Sequence, residues 1–144
     1  MTVATPTKVL YTAEAVATGD GRNGHVRSSD GLLEMDLAVP TEMGGPGGLS
    51  NPEQLFAAGY AACFHSALKV VGRRLEVDVT DSTVTARVGV GPGADGGFVL
   101  TAALGVHLPK ADAEQAQRAA DAAHRVCPYS NATRGNIDVV VSVV

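Results

Sequence analysis

One long apolar segment limits the folds open to this chain. It spans residues 51–75 and reads NPEQLFAAGYAACFHSALKVVGRRL. Asn51 is a favourable N-cap, Pro52 suits the first helical position, and Gln54 can close a capping box. The segment therefore predicts a helix that begins at Pro52.

The middle of this helix has almost no polar side. From residue 55 to residue 68 the apolar surface is interrupted mainly by His65 and Ser66. A helix that is apolar all round is buried, and a small domain has difficulty wrapping such a helix completely. We therefore expect part of it to pack against a second copy of the chain.

The rest of the chain alternates between strand patterns and one further helix. The segment KADAEQAQRAADAAHRV, residues 110–126, predicts an amphipathic helix with Ala113, Ala116, Ala120 and Ala123 on one side. Strands are predicted over residues 8–18, 25–29, 32–39, 80–90, 96–108 and 136–144, the last of them buried. The order βββ-α-ββ-α-β indicates an α+β fold, with antiparallel sheets around a long buried helix, in one domain spanning residues 1–144.

Composition excludes several classes of protein. The chain is 45% hydrophobic and 18% charged with a net charge of −4, and no run of Lys or Arg stands out. We therefore expect neither nucleic acid nor a membrane as a partner. The N-terminus shows no signal peptide or membrane span, which favours the cytoplasm. The glycine-rich loop at residues 40–50 lacks the features of a phosphate-binding loop, and no cofactor is expected.

Two cysteines carry the remaining chemistry, Cys63 and Cys127. The stretch CPYS at Cys127 looks like a glutaredoxin motif, but only one strand follows it, too little for the rest of that fold. His124 and Cys127 have the spacing of half a zinc site, yet no second ligand pair is apparent, so we expect no metal.

Taken alone, Cys63 is expected to be an inert core residue, because most core cysteines are buried and burial suppresses thiol reactivity. A reactive thiol there needs a nearby cation, since the helix N-terminus is too distant. Arg22, in the turn GDGRNG, is one candidate, and Glu53 in the first helical turn could orient it. The alternative is a solvated turn arginine and a glutamate favoured only by the helix dipole.

Two long blocks of the sequence resemble a known family. NPEQLFAAGYAACFHSALKVV and AHRVCPYSNATRGNIDVVV closely resemble the organic hydroperoxide resistance (Ohr) proteins, one branch of the OsmC/Ohr superfamily. KVLYTAEAVATGDGRNG and MGGPGGLSNPEQ resemble them as well, so the similarity covers nearly the whole chain. VCPYSNATRGN is similar to the Ohr branch rather than the OsmC branch.

The resemblance implies an enzyme, a bacterial thiol peroxidase that reduces organic hydroperoxides to alcohols. It implies that Cys63 is the peroxidatic thiol and Cys127 the resolving thiol, joined in a transient disulfide. It also implies that Arg22 stabilises the thiolate and that Glu53 orients Arg22. The turn TGDGRNG departs from the family pattern, since many relatives are a residue shorter there, and Arg27 is the substitute candidate for Arg22. A lipoylated protein or another dithiol is the implied reductant, and an intertwined homodimer the implied assembly.

A hydroperoxide tail needs apolar contacts, for which Leu55, Phe56, Tyr60 and Phe64 are the candidates; they could equally be core residues. Glu53 and Cys63 lie ten residues apart on one predicted helix, about 15 Å along its axis. Either the helix breaks near Gly59 or the site combines side chains of two chains. The alternative functions are a broader OsmC-like peroxidase, a redox sensor using the same disulfide, and a hydrophobic-ligand carrier.

Overall fold

The computed structural model describes residues 3–144. The chain divides into an N-terminal unit that ends at Pro52 and a C-terminal unit, Glu53–Val144. Both cysteines, Cys63 and Cys127, belong to the C-terminal unit. That the chain forms one domain stays a prediction.

The N-terminal unit contains an antiparallel three-stranded sheet, β1 (Ala15–Thr18), β2 (His25–Ser28) and β3 (Glu34–Asp36), in that order. The strand predicted over residues 8–18 was too long, since β1 covers only its last four residues. The β1–β2 ladder ends where Ala15 pairs with Ser28, and the chain then turns at Gly31, which has a φ of 74°. Beyond that turn there is no more of β2 for the earlier residues of the predicted strand to pair with.

Helix α1 (Pro52–Leu75) begins where the sequence predicted and is continuous for 24 residues. It runs through Gly59 without a break, so a break there does not bring Glu53 closer to Cys63. After Leu75 the chain leaves the helix at Glu76, whose φ is 56°.

The C-terminal unit has a second three-stranded sheet, β4 (Thr83–Pro92), β5 (Phe98–His107) and β6 (Val139–Val143), in that order. Strands β4 and β5 form an antiparallel hairpin, but β6 pairs with β5 in the parallel direction. The expectation of purely antiparallel sheets was therefore wrong for this edge. Strand β6 is also half-buried rather than buried, with Val140 51% exposed.

Two helices connect β5 to β6, where the sequence predicted one. Helix α2 (Ala113–Val126) starts with a capping box, in which the Asp112 carboxylate accepts the backbone N–H of Gln115 at 2.8 Å. A short helix, α3 (Pro128–Thr133), follows after one residue. Pro128 ends α2 because it has no N–H to donate, and the same property suits the first position of α3.

The hydrophobic core of the C-terminal unit is built from one side of α1, the inner face of β5 and the alanine face of α2. Its fully or almost fully buried side chains include Tyr60, Phe64, Leu68, Val71, Leu104, Val106, Ala116, Ala119, Ala120 and Ala123. Ala113, predicted for this face, is exposed instead. Small alanine side chains let α2 approach the other elements closely, and Cys127 completes this core at the end of α2.

The opposite side of α1 carries exposed side chains. Ala58, Ala62, Ser66 and Val70 follow one another at four-residue intervals and are exposed. Among residues 3–144, α1 is also the one helix whose length and hydropathy would suit a membrane span, a test that core helices of globular proteins pass too. Its packed side, with Tyr60 fully buried, is that of a core helix.

Candidate active site

The two cysteines lie in contact. The Cys127 Sγ is 3.4 Å from the Cys63 Sγ, and both are free thiols. Cys63 projects from the middle of α1, while Cys127 is the single residue between α2 and α3. Two residues 64 positions apart are therefore brought together by the packing of three helices.

The two thiols differ in their access to solvent. Cys127 is fully buried, with a relative exposure of 0%, whereas Cys63 keeps part of its surface exposed. A cavity of about 410 Å³ opens onto Cys63 and is lined by Cys63, Ser66, Ala67, Val70, Val126 and Pro128. A reagent can therefore reach Cys63 along a mostly apolar surface.

The local environment alone does not activate Cys63. Burial raises the pKa of its thiol above the ordinary value of 9.0, and the hydrogen bond with Cys127 raises the pKa further. The backbone N–H of Tyr129 acts in the opposite direction, since it favours the thiolate. A reactive thiolate at neutral pH therefore requires a further positive charge.

A chain of hydrogen bonds surrounds the segment that carries Cys127. The His124 Nδ1 lies 2.8 Å from the Ser130 Oγ, which lies 2.8 Å from the Tyr60 Oη. The Tyr60 Oη in turn lies 3.1 Å from the Thr133 Oγ1. Of these residues, Tyr60 and Ser130 are fully buried. These hydrogen bonds thus link α1 with the helices on both sides of Cys127.

Burial lowers the pKa of His124, and the positive charge of Arg134 lowers it further. Arg134 donates to the His124 backbone carbonyl at 2.7 Å, so the guanidinium is held close to the ring. His124 is therefore neutral at pH 7.

Three aromatic rings pack beside the thiols. The ring centroid of Tyr129 is 5.7 Å from those of both Phe56 and Tyr60, and the Phe56 and Tyr60 centroids are 6.2 Å apart. Gly59 makes room for Tyr129, because a Cβ at that position would lie 2.9 Å from the Tyr129 Oη. The glycine in GYAACF therefore allows α3 to pack directly on α1.

The four predicted substrate contacts divide into two groups. Leu55 and Phe56 are partly exposed on the first turns of α1. Tyr60 and Phe64 have a relative exposure of 0% and pack in the core, so the structure offers a substrate no surface on either of them. Their burial follows from the helical period, since residues 60, 64, 67, 68 and 71 share the core-facing side of α1.

The predicted thiolate-activating residues lie in different units. Arg22 is half-buried in a 3-10 turn, Gly21–Asn23, of the N-terminal unit, and Glu53 is in the first turn of α1. Their roles toward the thiols stay predictions. The substitute candidate, Arg27, is exposed and forms an ion pair with Glu34, with its Nε 3.6 Å from a carboxylate oxygen.

Helix α3 was not predicted from the sequence, and neither were the roles of Ser130 and Thr133 or the packing of Tyr129, which depend on it. The available signals were Pro128 directly after Cys127 and the i, i+3 spacing of Ser130 and Thr133, which puts both hydroxyls on one helix face. Within the described part of the chain, no group of three or more His, Cys, Asp or Glu side chains could hold a metal ion.

The chain is similar to known proteins over most of its length. Residues 45–142 match the family described as OsmC-like protein. The organic hydroperoxide resistance protein of Xanthomonas axonopodis pv. citri is 49% identical over 143 residues, which cover 98% of this chain and 99% of that relative.

Solved structures are similar over comparable lengths. A crystal structure of an organic hydroperoxide resistance protein from Legionella pneumophila has a TM-score of 0.89 at 51% identity and covers 94% of this chain and 98% of its own. That of OhrB from Bacillus subtilis has a TM-score of 0.85 at 43% identity and covers 94% of this chain and 100% of its own.

Proposed function

Because this chain belongs to the OsmC-like family and, within it, to the organic hydroperoxide resistance proteins, we propose that it is a cysteine-based peroxidase that reduces organic hydroperoxides to alcohols. The observation that carries the proposal is the thiol pair, with Cys63 and Cys127 in contact at 3.4 Å beside an apolar cavity. Membership supports a role in organic hydroperoxide resistance. The reaction cycle below is the finer part of the proposal.

Cys63 is the peroxidatic residue, because it is the thiol that the cavity reaches. Its thiolate attacks the outer, hydrogen-bearing oxygen of the hydroperoxide, an S–O bond forms and the O–O bond breaks. The alkoxide leaves and takes up a proton, so that an alcohol departs and Cys63 becomes a sulfenic acid. The thiol loses two electrons and the hydroperoxide gains them.

Cys127 is the resolving residue. Its sulfur attacks the sulfur of the Cys63 sulfenic acid, an S–S bond forms, the S–O bond breaks, and the hydroxide leaves as water with the Cys127 proton. The two sulfurs need to approach from 3.4 Å to about 2.05 Å, a movement that side-chain rotation and small helix shifts can supply. Burial of Cys127 protects it from direct oxidation in the meantime.

A dithiol reductant completes the cycle. Its first thiolate attacks one sulfur of the disulfide and its second releases the protein, which restores both thiols and oxidises the dithiol. The family resemblance favours a dihydrolipoyl group on a lipoylated protein. Such a reductant reaches the same exposed side of Cys63 as the substrate, and a cytoplasmic location in a bacterium belongs to the same proposal.

Arg22 supplies the positive charge that Cys63 needs, and Glu53 orients it. This role rests on the family resemblance and on the raised pKa of Cys63, which leaves a thiolate unexplained without a cation. The exposed side of α1, with Ala58, Ala62 and Val70, favours a homodimer in which a second copy covers it. Combination of residues from two chains would then solve the separation of Glu53 and Cys63.

The apolar part of the substrate packs along the cavity. Val70 and Val126 line it, and Leu55 and Phe56 remain accessible on α1. Each methylene buried there contributes about 0.8 kcal/mol, so alkyl and lipid hydroperoxides bind better than hydrogen peroxide, which has no tail.

The test is catalytic consumption of cumene hydroperoxide with dithiothreitol as the reductant. We expect many turnovers for the parent, none for Cys63→Ser, and a lower kcat/KM with hydrogen peroxide. Consumption of a single equivalent by the parent, with excess dithiothreitol present, would contradict the enzyme. It would favour a redox sensor, the second candidate, which uses the same thiol pair. Equal kcat/KM values for the two peroxides would contradict the apolar substrate site and favour a broader OsmC-like peroxidase.

A further inference from the structure

The direction of each hydrogen bond around Cys127 can be assigned from the number of available protons. Thr133 has one hydroxyl proton, and its Oγ1 donates to the Tyr129 backbone carbonyl at 2.9 Å. The Thr133 Oγ1 therefore accepts from the Tyr60 hydroxyl. Since the Tyr60 proton is then used, its oxygen accepts from Ser130. Ser130 in turn accepts from the Nδ1–H of His124.

The bonds thus form one unbroken series of donations, from His124 through Ser130 and Tyr60 to Thr133. Each hydroxyl donates once and accepts once, and both acceptors within reach of the Thr133 proton are backbone carbonyls, that of Tyr129 at 2.9 Å and that of Ser130 at 3.3 Å. Such a buried, fully satisfied network holds a single arrangement of the groups it joins. The Nδ1–H tautomer of neutral His124 and its protonated form both carry the proton that the series needs, so within that tautomer the arrangement does not depend on the charge of the ring.

The network joins residues that precede and follow Cys127 in the sequence. His124 is three residues before this cysteine on α2, and Ser130 is three residues after it on α3, so their hydrogen bond joins the two helices across the residue between them. Tyr60, one turn before Cys63 on α1, is hydrogen-bonded to Ser130 and so connects this pair of residues to α1. The only covalent link between α2 and α3 is Cys127 itself, whose ψ of 123° makes the bend.

We infer that Ser130, held between His124 and Tyr60, is a positioning residue that keeps the Cys127 thiol against Cys63. Its part in a peroxidase cycle rests on the proposed function, but its effect on the thiol pair does not. Without the Ser130 hydroxyl, the reduced protein lets the Cys127 segment move, and the effective concentration of one thiol at the other falls. The disulfide, once formed, holds that segment by a covalent bond in either case.

The test is the equilibrium of the Cys63–Cys127 pair with reduced and oxidised dithiothreitol, with no peroxide present. Ser130→Ala lowers the ratio of disulfide to dithiol protein about three- to tenfold, the range that one lost hydrogen bond produces. Tyr60→Phe removes a single oxygen from the middle of the network, keeps the ring, and should lower the ratio as well. It carries the test if Ser130→Ala does not fold.

Ser82→Ala is the matched control. Ser82 is also a buried serine bonded to a histidine, with its Oγ 3.0 Å from the His65 Nε2, and it lies outside the network around Cys127. This variant should keep the parental ratio of disulfide to dithiol. A parental ratio in both Ser130→Ala and Tyr60→Phe, or an equal fall in Ser82→Ala, would overturn the inference.

A kinetic measurement connects the inference to the proposed cycle. After one equivalent of cumene hydroperoxide, Ser130→Ala should form the disulfide several-fold more slowly and accumulate more Cys63 sulfinic acid when hydroperoxide is in excess. In a Cys127→Ser background, addition of Ser130→Ala should leave the rate of Cys63 oxidation unchanged. A matching fall in that first step would overturn the assignment to Cys127. If the parent consumes no hydroperoxide at all, the proposed function fails while the dithiothreitol equilibrium still decides the positioning role.

Discussion

Replacing Arg22 with glutamine should raise the pKa of Cys63 and lower its reactivity at neutral pH by about 100-fold or more. Burial already raises that pKa above 9.0, and the Tyr129 N–H offsets the effect only in part. A thiol with a pKa of 9.0 is about 1% thiolate at pH 7, whereas one activated by a neighbouring cation is mostly ionised there. The ratio of these fractions gives the expected loss.

The assay is alkylation of Cys63 by iodoacetamide as a function of pH, in a Cys127→Ser background so that one thiol reacts. With Arg22 present, the rate should reach its plateau near neutral pH. With Arg22→Gln, it should rise about tenfold per pH unit and still be rising at about pH 9, because the pKa of the unactivated thiol lies above 9.0. Arg27→Gln is the matched control, since Arg27 is paired with Glu34 in the N-terminal unit. Identical pH profiles for the parent and Arg22→Gln would refute the reasoning.

Three further predictions concern other parts of the C-terminal unit. Cys127→Ser should consume about one equivalent of hydroperoxide and leave Cys63 as a sulfenic or sulfinic acid by mass spectrometry; turnover at the parental rate would contradict this. The pKa of His124 is lowered in the folded state. As the pH decreases below the ordinary value of 6.5, the unfolded chain binds the proton first, so the free energy of unfolding decreases until the pH reaches the folded-state pKa. His124→Asn should therefore show a smaller drop in Tm from about pH 7.5 to about pH 5.5 than the parent, and equal drops would be inconsistent with a neutral buried ring. Gly72→Ala puts a Cβ 2.7 Å from a methyl of Val79, so overpacking of about 1–3 kcal/mol should outweigh a helix-propensity gain of about 1 kcal/mol in urea unfolding, and a stabilised variant would contradict that packing.

The helices were predictable from the sequence where local signals were strong. Pro52 and the apolar run indicated the start of α1, and the alanine periodicity indicated α2, although the helix predicted over residues 110–126 began three residues too early because the cap at Asp112 was not identified. The strand at residues 8–18 was overestimated because strand length depends on a partner, and β2 contributes only four residues. The parallel direction of β6 likewise depends on where α3 ends relative to β5, and no local sequence pattern indicates that position.

The two reactive residues of the candidate site were predictable from the sequence, but the hydrogen bonds that hold them in place were not. The resemblance identified Cys63 and Cys127, and the structure brings their sulfurs to 3.4 Å. The helical period is consistent with Tyr60 on the core side of α1, but nothing local in the sequence indicated its hydrogen bond with Ser130, because that contact joins residues 70 positions apart. The pairing exists only once α3 has packed on α1.

The most direct test of the account is to treat the reduced parent with one equivalent of cumene hydroperoxide and to map the product by non-reducing peptide mass spectrometry. The account predicts one equivalent of alcohol, the loss of both free thiols, and a single intramolecular peptide link between Cys63 and Cys127. Two free thiols with unconsumed hydroperoxide would contradict it. So would a sulfenic or sulfinic acid at Cys127 with Cys63 still reduced.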